Sequence, residues 1–202
     1  CYNTERVDLH STTCPPYDII SPEERQEFLK MDPHSVVRLI LGDGDAWHES
    51  AGQTFRQWQS EGILQTDSLP SIYLYQHQFQ LEGEERTRLG FIALLRLAER
   101  SAKEVLPHEH TFEGPKADRF KLMQACKANL SPIFLLASDP EAKLRTVLGE
   151  ASRKLETTVL DAKNVKHGMA RITSPQQIAQ IQQVLKGQQV YVADGHHRYE
   201  TA

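Results

Sequence analysis

The segment from Asp194 to Arg198 concentrates the side chains that could do chemistry. Its order, Asp-Gly-His-His-Arg, holds one carboxylate, a glycine, two imidazoles and a guanidinium. A carboxylate suits a hard cation such as Mg²⁺, or it can orient a substrate hydroxyl. An imidazole and the planar fork of a guanidinium suit the oxygen atoms of a phosphate. These residue types favour a phosphate and metal site, although Asp-Gly is also a common turn dipeptide.

Each residue of this segment has an expected role. Asp194 is expected to be the catalytic base or the metal ligand. Gly195 would let the backbone approach a ligand closely. His196 and Arg198 would bind phosphate oxygens, and His196 is also a candidate for catalysis. We expect His197 to pack against the sheet rather than to contact a ligand.

A strand and a helix should position this segment. Residues 188–193 are apolar enough for a short buried strand, and a helix is predicted to open at Tyr199. The start of a helix presents unpaired amide groups and the positive end of the helix dipole, and anions bind there. The sequence therefore predicts an anion-binding turn between a strand and a helix.

A second group of charged residues precedes a predicted helix. In an extended chain His108 and His110 would lie on one face and Glu109 on the other. Two such histidines can bind a metal, but no third ligand has a suitable spacing. Lys116 and Arg119 lie about one helical turn apart and could face an anion together. We expect this group to line the same cleft as the terminal segment. In that cleft Glu109 is a candidate for catalysis, and His108 is a candidate for binding the ligand. The alternative is a polar loop followed by a solvated helix start.

The remaining chain predicts helices and strands in no regular order. Capping boxes at Ser21 and Ser174 each begin a helix with proline in its first turn. Strict alternation and a Glu-Gly turn predict a hairpin. Helices are predicted over 22–31, around 51–58 with a stop at Gly62, over 116–129, from 139, and from 175 to 187. Strands are predicted over 36–41, 72–79, 88–97, 132–137, around 159 and over 169–172, with the hairpin turn near 82–83.

This mixture predicts an α/β or α+β fold with a mixed sheet, flanking helices and one β-hairpin. The chain has 202 residues and shows neither a repeat nor a linker, so one domain over residues 1–202 is expected. The chain begins with cysteine and its last helix is cut short. We therefore expect a fragment that is truncated at the C-terminus and also at the N-terminus.

Composition excludes several classes of protein. Hydrophobic residues make up 39% of the chain, charged residues 25%, and the net charge is −4 without a basic stripe, so nucleic acid is not an expected partner. The three cysteines lack CxxC spacing, which favours a reducing compartment over disulfides or structural zinc. No apolar run approaches the roughly 20 residues that span a bilayer, so no membrane partner is expected. Without a signal peptide, the predicted location is the cytoplasm.

Several stretches resemble the domain-of-unknown-function 1015 family of prokaryotic proteins. They occur in the family's order and cover nearly the whole chain, which resembles the N-terminal half of proteins about twice as long. The family's activity is not established. The stretches are residues 14–22, 106–111, 114–119, 129–134 and 192–202.

The stretch from about Arg171 to Ala202 is similar to the phosphate-binding segment of the ParB/sulfiredoxin superfamily. That superfamily includes CTP-binding partition proteins and an ADP-dependent free serine kinase. The resemblance implies that Asp194 is catalytic or binds metal, and that Gly195, His196 and Arg198 hold phosphate. Sulfiredoxin carries a catalytic cysteine in its corresponding motif, whereas this chain has histidines, so redox activity is not expected. The separate glutamate base of the kinase has no match in this chain.

Together these observations predict a nucleotide-dependent, kinase-like phosphotransferase that acts on a small-molecule substrate. The expected cofactors are a nucleotide (ATP, ADP or CTP) and Mg²⁺. Two alternatives remain open: a non-catalytic nucleotide-binding regulatory module, and a metal-dependent phosphate-ester hydrolase that uses both histidine clusters.

Overall fold

The computed structural model describes residues 1–97, 104–161 and 163–202. No helix within these ranges has both the length and the apolar character needed to cross a membrane. The described residues form these helices: α1 Leu9–Thr12, α2 Pro22–Met31, α3 Val37–Ile40, α4 Trp47–Ser60, α5 Glu113–Cys126, α6 Lys143–Ala151, α7 Pro175–Leu185 and α8 His196–Thr201. They form these strands: β1 Ile72–Leu81, β2 Glu84–Ile92, β3 Val105–Leu106, β4 Phe134–Ala137, β5 Thr157–Leu160, β6 Lys166–Ile172 and β7 Val190–Asp194.

These elements form two compact units. The helical unit comprises Cys1–Asp67, Glu109–Ile133 and Gly195–Ala202, and it contains α1 to α5 and α8. The sheet unit comprises Ser68–His108 and Phe134–Asp194, and it contains both sheets with α6 and α7. The predicted mixed α/β class is confirmed, and the prediction of a single domain stays a prediction.

The sheet unit contains the predicted hairpin. Glu82 and Gly83 form the turn between β1 and β2, and Leu81 pairs with Glu84 across it. The returning strand therefore begins at Glu84 and ends at Ile92, rather than covering 88–97. A short turn sets the register of the strand that follows it, whereas the prediction followed the apolar residues beyond Arg88.

Two sheets lie in the sheet unit. One is antiparallel in the order β2-β1-β6-β5; in the other, β7 lies between a parallel β3 and an antiparallel β4. Leu74 and Ile172 of the antiparallel sheet pack with Leu148 of α6 and Ile181 of α7 in one buried core. Since successive strand residues point to opposite faces, the neighbours of Leu74 on β1 face away from this core.

The segment 36–41 contains α3, Val37–Ile40, and not the predicted strand. Val37, Leu39 and Ile40 are all buried in the core of the helical unit, and Val36 already has helical backbone angles. A continuous apolar run can be buried as either a strand or a helix turn, and periodicity does not distinguish the two for so short a segment. The prediction was wrong for this reason.

Helices α4 and α5 approach closely at a glycine. A Cβ atom on Gly52 would lie 2.5 Å from the carbonyl oxygen of Ala125, so a larger residue would push the helices apart. Leu122 of α5 and Ala51 of α4 are buried at the same contact. This packing holds α5 against α4. It therefore sets the position, relative to α4, of the part of α5 that carries Arg119.

Local capping determines where several helices begin. Ser21 and Glu24 form the predicted capping box at α2, each side chain bonding the backbone N–H of the other. Helix α5 begins at Glu113, before the predicted start at Lys116. Helix α6 begins at Lys143 rather than at residue 139, because the Asp139 carboxylate accepts bonds from amides of its first turn.

Candidate functional site

The terminal segment changes from strand to helix at one glycine. Strand β7 ends at Asp194, Gly195 has φ of 90° and ψ of 32°, and α8 begins at His196. The helix therefore begins before the predicted start at Tyr199, and both histidines lie in its first turn. The left-handed conformation of Gly195 ends the strand and makes the helix start possible, since this conformation costs little only for glycine.

The guanidinium of Arg198 folds back over this glycine. A Cβ atom on Gly195 would lie 3.0 Å from the Nε, Cζ and Nη2 atoms of Arg198. The Nη1 atom of Arg198 donates a hydrogen bond to the carbonyl of Pro132, at 2.5 Å. Glycine suits this position for its backbone angle, and a Cβ would in addition require the Arg198 side chain to move by a few tenths of an ångström. The result places a positive charge beside the backbone from which α8 begins.

The two adjacent histidines have different surroundings. His196 is 4% exposed, and its Nδ1 lies 3.5 Å from a carboxylate oxygen of Glu109. His197 is half-buried; its Nε2 accepts a bond from the amide of Phe112 at 3.0 Å, and its ring stacks on the Phe112 ring. These contacts of His197 are to Phe112 of the helical unit, and His196 is the more buried of the two histidines, while the packing of His197 against the sheet stays a prediction.

A carboxylate that the sequence analysis did not single out ties α8 to the start of α5. Glu200 accepts hydrogen bonds from the Thr111 hydroxyl at 2.5 Å and from Lys116 Nζ at 3.3 Å. Lys116 also pairs with Glu113 at 2.7 Å. The bond to Glu113 and the nearby Glu200 raise the pKa of Lys116. Lys116 therefore lies beside α8, where carboxylates of the protein already pair with it.

Arg119 is enclosed within the helical unit. It is 6% exposed, and its Nη1 donates to the carbonyl of Ile40 at 3.1 Å. Its Nε and Nη2 both donate to Asp118. The guanidinium lies 3.9 Å from the centre of the Tyr17 ring and 5.5 Å from that of Trp47. These contacts bind Arg119 to the fold of its own unit.

Asp118 bridges Arg119 to a buried histidine. Its second oxygen lies 2.8 Å from Nε2 of His48, which is 7% exposed and whose ring centre lies 4.1 Å from that of Trp47. Burial alone would raise the pKa of Asp118, but the bonds and charges of Arg119 and His48 outweigh it and lower that pKa. Sequence analysis assigned nothing to His48, because its partner lies far along the chain.

Asp194 and His108 belong to the sheet unit and are exposed there. Asp194 is the last residue of β7, where its backbone pairs with Phe134, and His108 follows β3. The structure thus brings together Glu109 with His196, and Gly195 with Arg198, inside the helical unit. Among the residues described, no group of three or more His, Cys, Asp or Glu side chains is placed to hold a metal ion.

These pairs allow two kinds of chemistry. A guanidinium held over a glycine at a helix start can bind the oxygens of an anion, with backbone amides as further donors. A carboxylate next to an imidazole can orient the imidazole and stabilise its protonated form.

Comparison with known proteins gives one match. The model of the family described as "Protein of unknown function (DUF1015)" matches residues 1–202. Neither the search of curated proteins nor that of solved structures returns a match, so no comparison returns the ParB/sulfiredoxin superfamily. Since the family model covers the chain from its first residue to its last, this protein belongs to the DUF1015 family, as its motifs predict.

Proposed function

We propose that this chain is a nucleotide-dependent phosphotransferase that acts on a small molecule. The observation that supports the proposal is the conformation of Gly195 with the guanidinium of Arg198 folded over it. The planar fork of an arginine matches two oxygens of one phosphate. Backbone amides of Gly195 and His196 would supply further donors, since the first amides of a helix lack partners within it.

The catalytic role in this proposal falls to Asp194. Phosphoryl transfer depends on positioning and on neutralising charge, with an acidic residue orienting the attacking hydroxyl. Mg²⁺ is commonly bound by one or two carboxylates together with the substrate's phosphates, so one exposed carboxylate at the end of β7 fits this mode. When bound, the ion would neutralise phosphate charge. Glu109 would hold the His196 imidazole.

The identity of the nucleotide and the kinase chemistry rest on the similarity of residues 171–202 to the ParB/sulfiredoxin phosphate-binding segment.

A second candidate is a nucleotide-binding regulatory module without turnover. One observation favours it: Lys116 and Arg119 are each paired with carboxylates of the helical unit. Fewer cations are then at hand to neutralise the charge of a transferring phosphoryl group.

The test is a thermal-shift screen of the full chain with ATP, ADP, CTP and GTP, each with Mg²⁺. We expect at least one nucleotide to raise the melting temperature, and R198A to abolish this rise. The matched control is R38A, because Arg38 also donates from its guanidinium to a backbone carbonyl, that of Leu29, in the same unit. R38A should retain the nucleotide response.

Turnover separates the two candidates. Labelled nucleotide is incubated with serine and other small hydroxyl compounds, and phosphorylated product is counted. D194N should keep the thermal shift and lose product formation. Nucleotide binding without any product would support the regulatory module, and the lack of a shift with every nucleotide would contradict both candidates.

A further inference from the structure

A cluster of titratable side chains lies on the face of the antiparallel sheet that points away from its core. Alternation along β1 puts these side chains on the face opposite the buried Leu74. His77 and His167 are directly opposite each other in the pairing of β1 with β6. We call this set the Tyr75 cluster; its members are Tyr75, His77, Arg88, Asp161 and His167.

Asp161 is anchored by the backbone that follows it. One carboxylate oxygen accepts bonds from the amides of Lys163 at 2.8 Å and Val165 at 2.9 Å. The other lies 3.2 Å from Nε2 of His167. Burial works to raise the pKa of Asp161, and these bonds outweigh it and lower that pKa. An ionised carboxylate accepts only, so neutral His167 carries its proton on Nε2.

This tautomer makes His167 a base towards Tyr75. The Nδ1 atom of His167 lies 2.5 Å from the Tyr75 hydroxyl. With the proton on Nε2, Nδ1 is the acceptor and the hydroxyl is the donor. Burial raises the pKa of Tyr75, so the hydroxyl stays protonated until the imidazole takes its proton. A carboxylate, an imidazole and a hydroxyl in this order are the groups that activate a nucleophile in covalent catalysis.

The second histidine of the cluster has the opposite role. Arg88 Nη2 donates to Nδ1 of His77 at 2.7 Å, so a neutral His77 carries its proton on Nε2. Burial, the Arg88 charge and His167 all lower the pKa of His77, which keeps it neutral. The rings of His77 and His167 are 5.0 Å apart. A neutral N–H donor and a guanidinium therefore lie on the same face as the base.

The cluster is within reach of a small molecule. The side chains of His167 and Asp161 are 27% and 39% exposed, and Tyr75 is half-buried. Because the Tyr75 hydroxyl is partly shielded from water, it needs a base to lose its proton. Because it is also partly exposed, a small substrate can reach it.

We propose that Tyr75 is the catalytic nucleophile of a second site, that His167 is its base, and that Asp161 is a positioning residue for His167. The substrate is a small anionic compound with a transferable acyl group: the Arg88 guanidinium would bind its charge, and the N–H of His77 would donate to the oxyanion of the tetrahedral acyl intermediate. The Tyr75 oxygen bonds to the acyl carbon while its proton passes to Nδ1 of His167. The bond to the leaving group then breaks, and the leaving group takes that proton.

The first test uses N-acetylimidazole on the full chain, with the acetylation rate of each tyrosine followed by peptide mass spectrometry. Tyr191, which is 54% exposed, is the internal reference. We expect Tyr75 to react at least about a hundredfold faster than Tyr191, the lower limit of what a positioned base typically contributes.

Two variants test the hydrogen bonds that link Asp161 to His167 and His167 to Tyr75. D161N keeps an oxygen for the two loop amides but presents an amide to His167, and we expect the Tyr75 rate to fall about tenfold or more. H167Q removes the base. The control is D139N, because Asp139 also accepts two backbone amides in the same unit and does not belong to the cluster. D139N should leave the Tyr75 rate unchanged.

A second arm tests the anionic substrate. Phenyl acetate and 4-acetoxybenzoate deliver the same acetyl group, and only the latter carries a carboxylate. We expect the anionic ester to acetylate Tyr75 faster, and R88A to remove this preference.

The proposal fails if Tyr75 reacts no faster than Tyr191, or if folded D161N, checked by circular dichroism, reacts like the parent chain. Equal rates with both esters would overturn the anionic substrate. If H167Q does not fold, D161N decides.

Discussion

Two arginines of the helical unit, predicted to serve the same anion site, have different surroundings. Arg119 is 6% exposed, lies between aromatic rings and is bonded to Asp118. Arg198 is half-buried, lies over Gly195 and donates to a backbone carbonyl. A buried charge must be paired to offset its desolvation, so Arg119 contributes to the fold. A half-buried guanidinium keeps contact with solvent and can exchange partners with a ligand.

The largest expected effect comes from breaking the pair between the buried Arg119 and Asp118, whose side chain is 37% exposed. D118N leaves the guanidinium of Arg119 buried without its counter-charge, and we expect the free energy of unfolding to fall by about 3 kcal/mol. The measurement is urea unfolding of the full chain at pH 7. The control is E113Q, whose side chain is 92% exposed in its pair with Lys116, and it should cause no measurable change. A small effect of D118N would mean that Arg119 does not stabilise the fold through this pair, and the contrast with Arg198 would be lost.

The next effect is that of Gly195→Ala. An alanine here adopts a left-handed backbone and displaces the Arg198 guanidinium, and we expect a loss of about 2–3 kcal/mol. Gly44→Ala is the matched control: Gly44 has φ of 76°, but a Cβ there would meet no atom within 4 Å. It should cost about 1–2 kcal/mol, the backbone term alone. Equal losses of stability for the two variants in thermal or urea unfolding would mean that the Arg198 guanidinium keeps its position when residue 195 has a Cβ atom.

A third prediction concerns pH. The pKa of Asp118 is lowered in the folded protein, because Arg119 and His48 outweigh burial. Its contribution to stability is therefore present above its ordinary pKa of about 3.9 and is lost as pH falls through the lower, folded value. We expect the stability difference between the parent chain and D118N to narrow as pH falls from neutral towards 3. A difference that stays constant in urea unfolding over this range would contradict the ionised bridge.

The smallest expected effect is that of E200Q, which weakens the link between α8 and the start of α5. The glutamine oxygen can still accept from Thr111, so only the charge pairing with Lys116 is lost. We expect little change in global stability, because Lys116 keeps its ion pair with the exposed Glu113. The amides of α8 should exchange faster with deuterium, while those of α4 should not. Unchanged exchange in α8 would show that this pair does not hold the helix.

Local signals predicted many element ends. The capping box at Ser21 and the turn at Glu82–Gly83 depend on residues within four positions of each other, so the sequence shows them directly. Gly62 and Gly187 stop helices with positive φ, as expected. The prediction was wrong over 36–41, where Val37, Leu39 and Ile40 are all buried and the segment is too short for its apolar residues to separate a helix from a strand.

The candidate site was predicted less completely. The terminal motif and its glycine were recognisable because their residues are adjacent. His48 and Asp118 are 70 positions apart, and Tyr75 and His167 are 92 apart, so no local spacing marks either pair. Chain folding alone creates such contacts.

The amino-acid sequence by itself determined the family, the mixed α/β class and the residues that begin and end most helices and strands. These depend on short-range sterics, hydrogen bonding and the period of apolar residues. Only the tertiary structure decided which charged groups are buried and paired, as at Arg119, and which remain half-buried, as at Arg198. Desolvation and partner distance set the chemistry of an ionisable group, and both arise from segments that are distant in the chain.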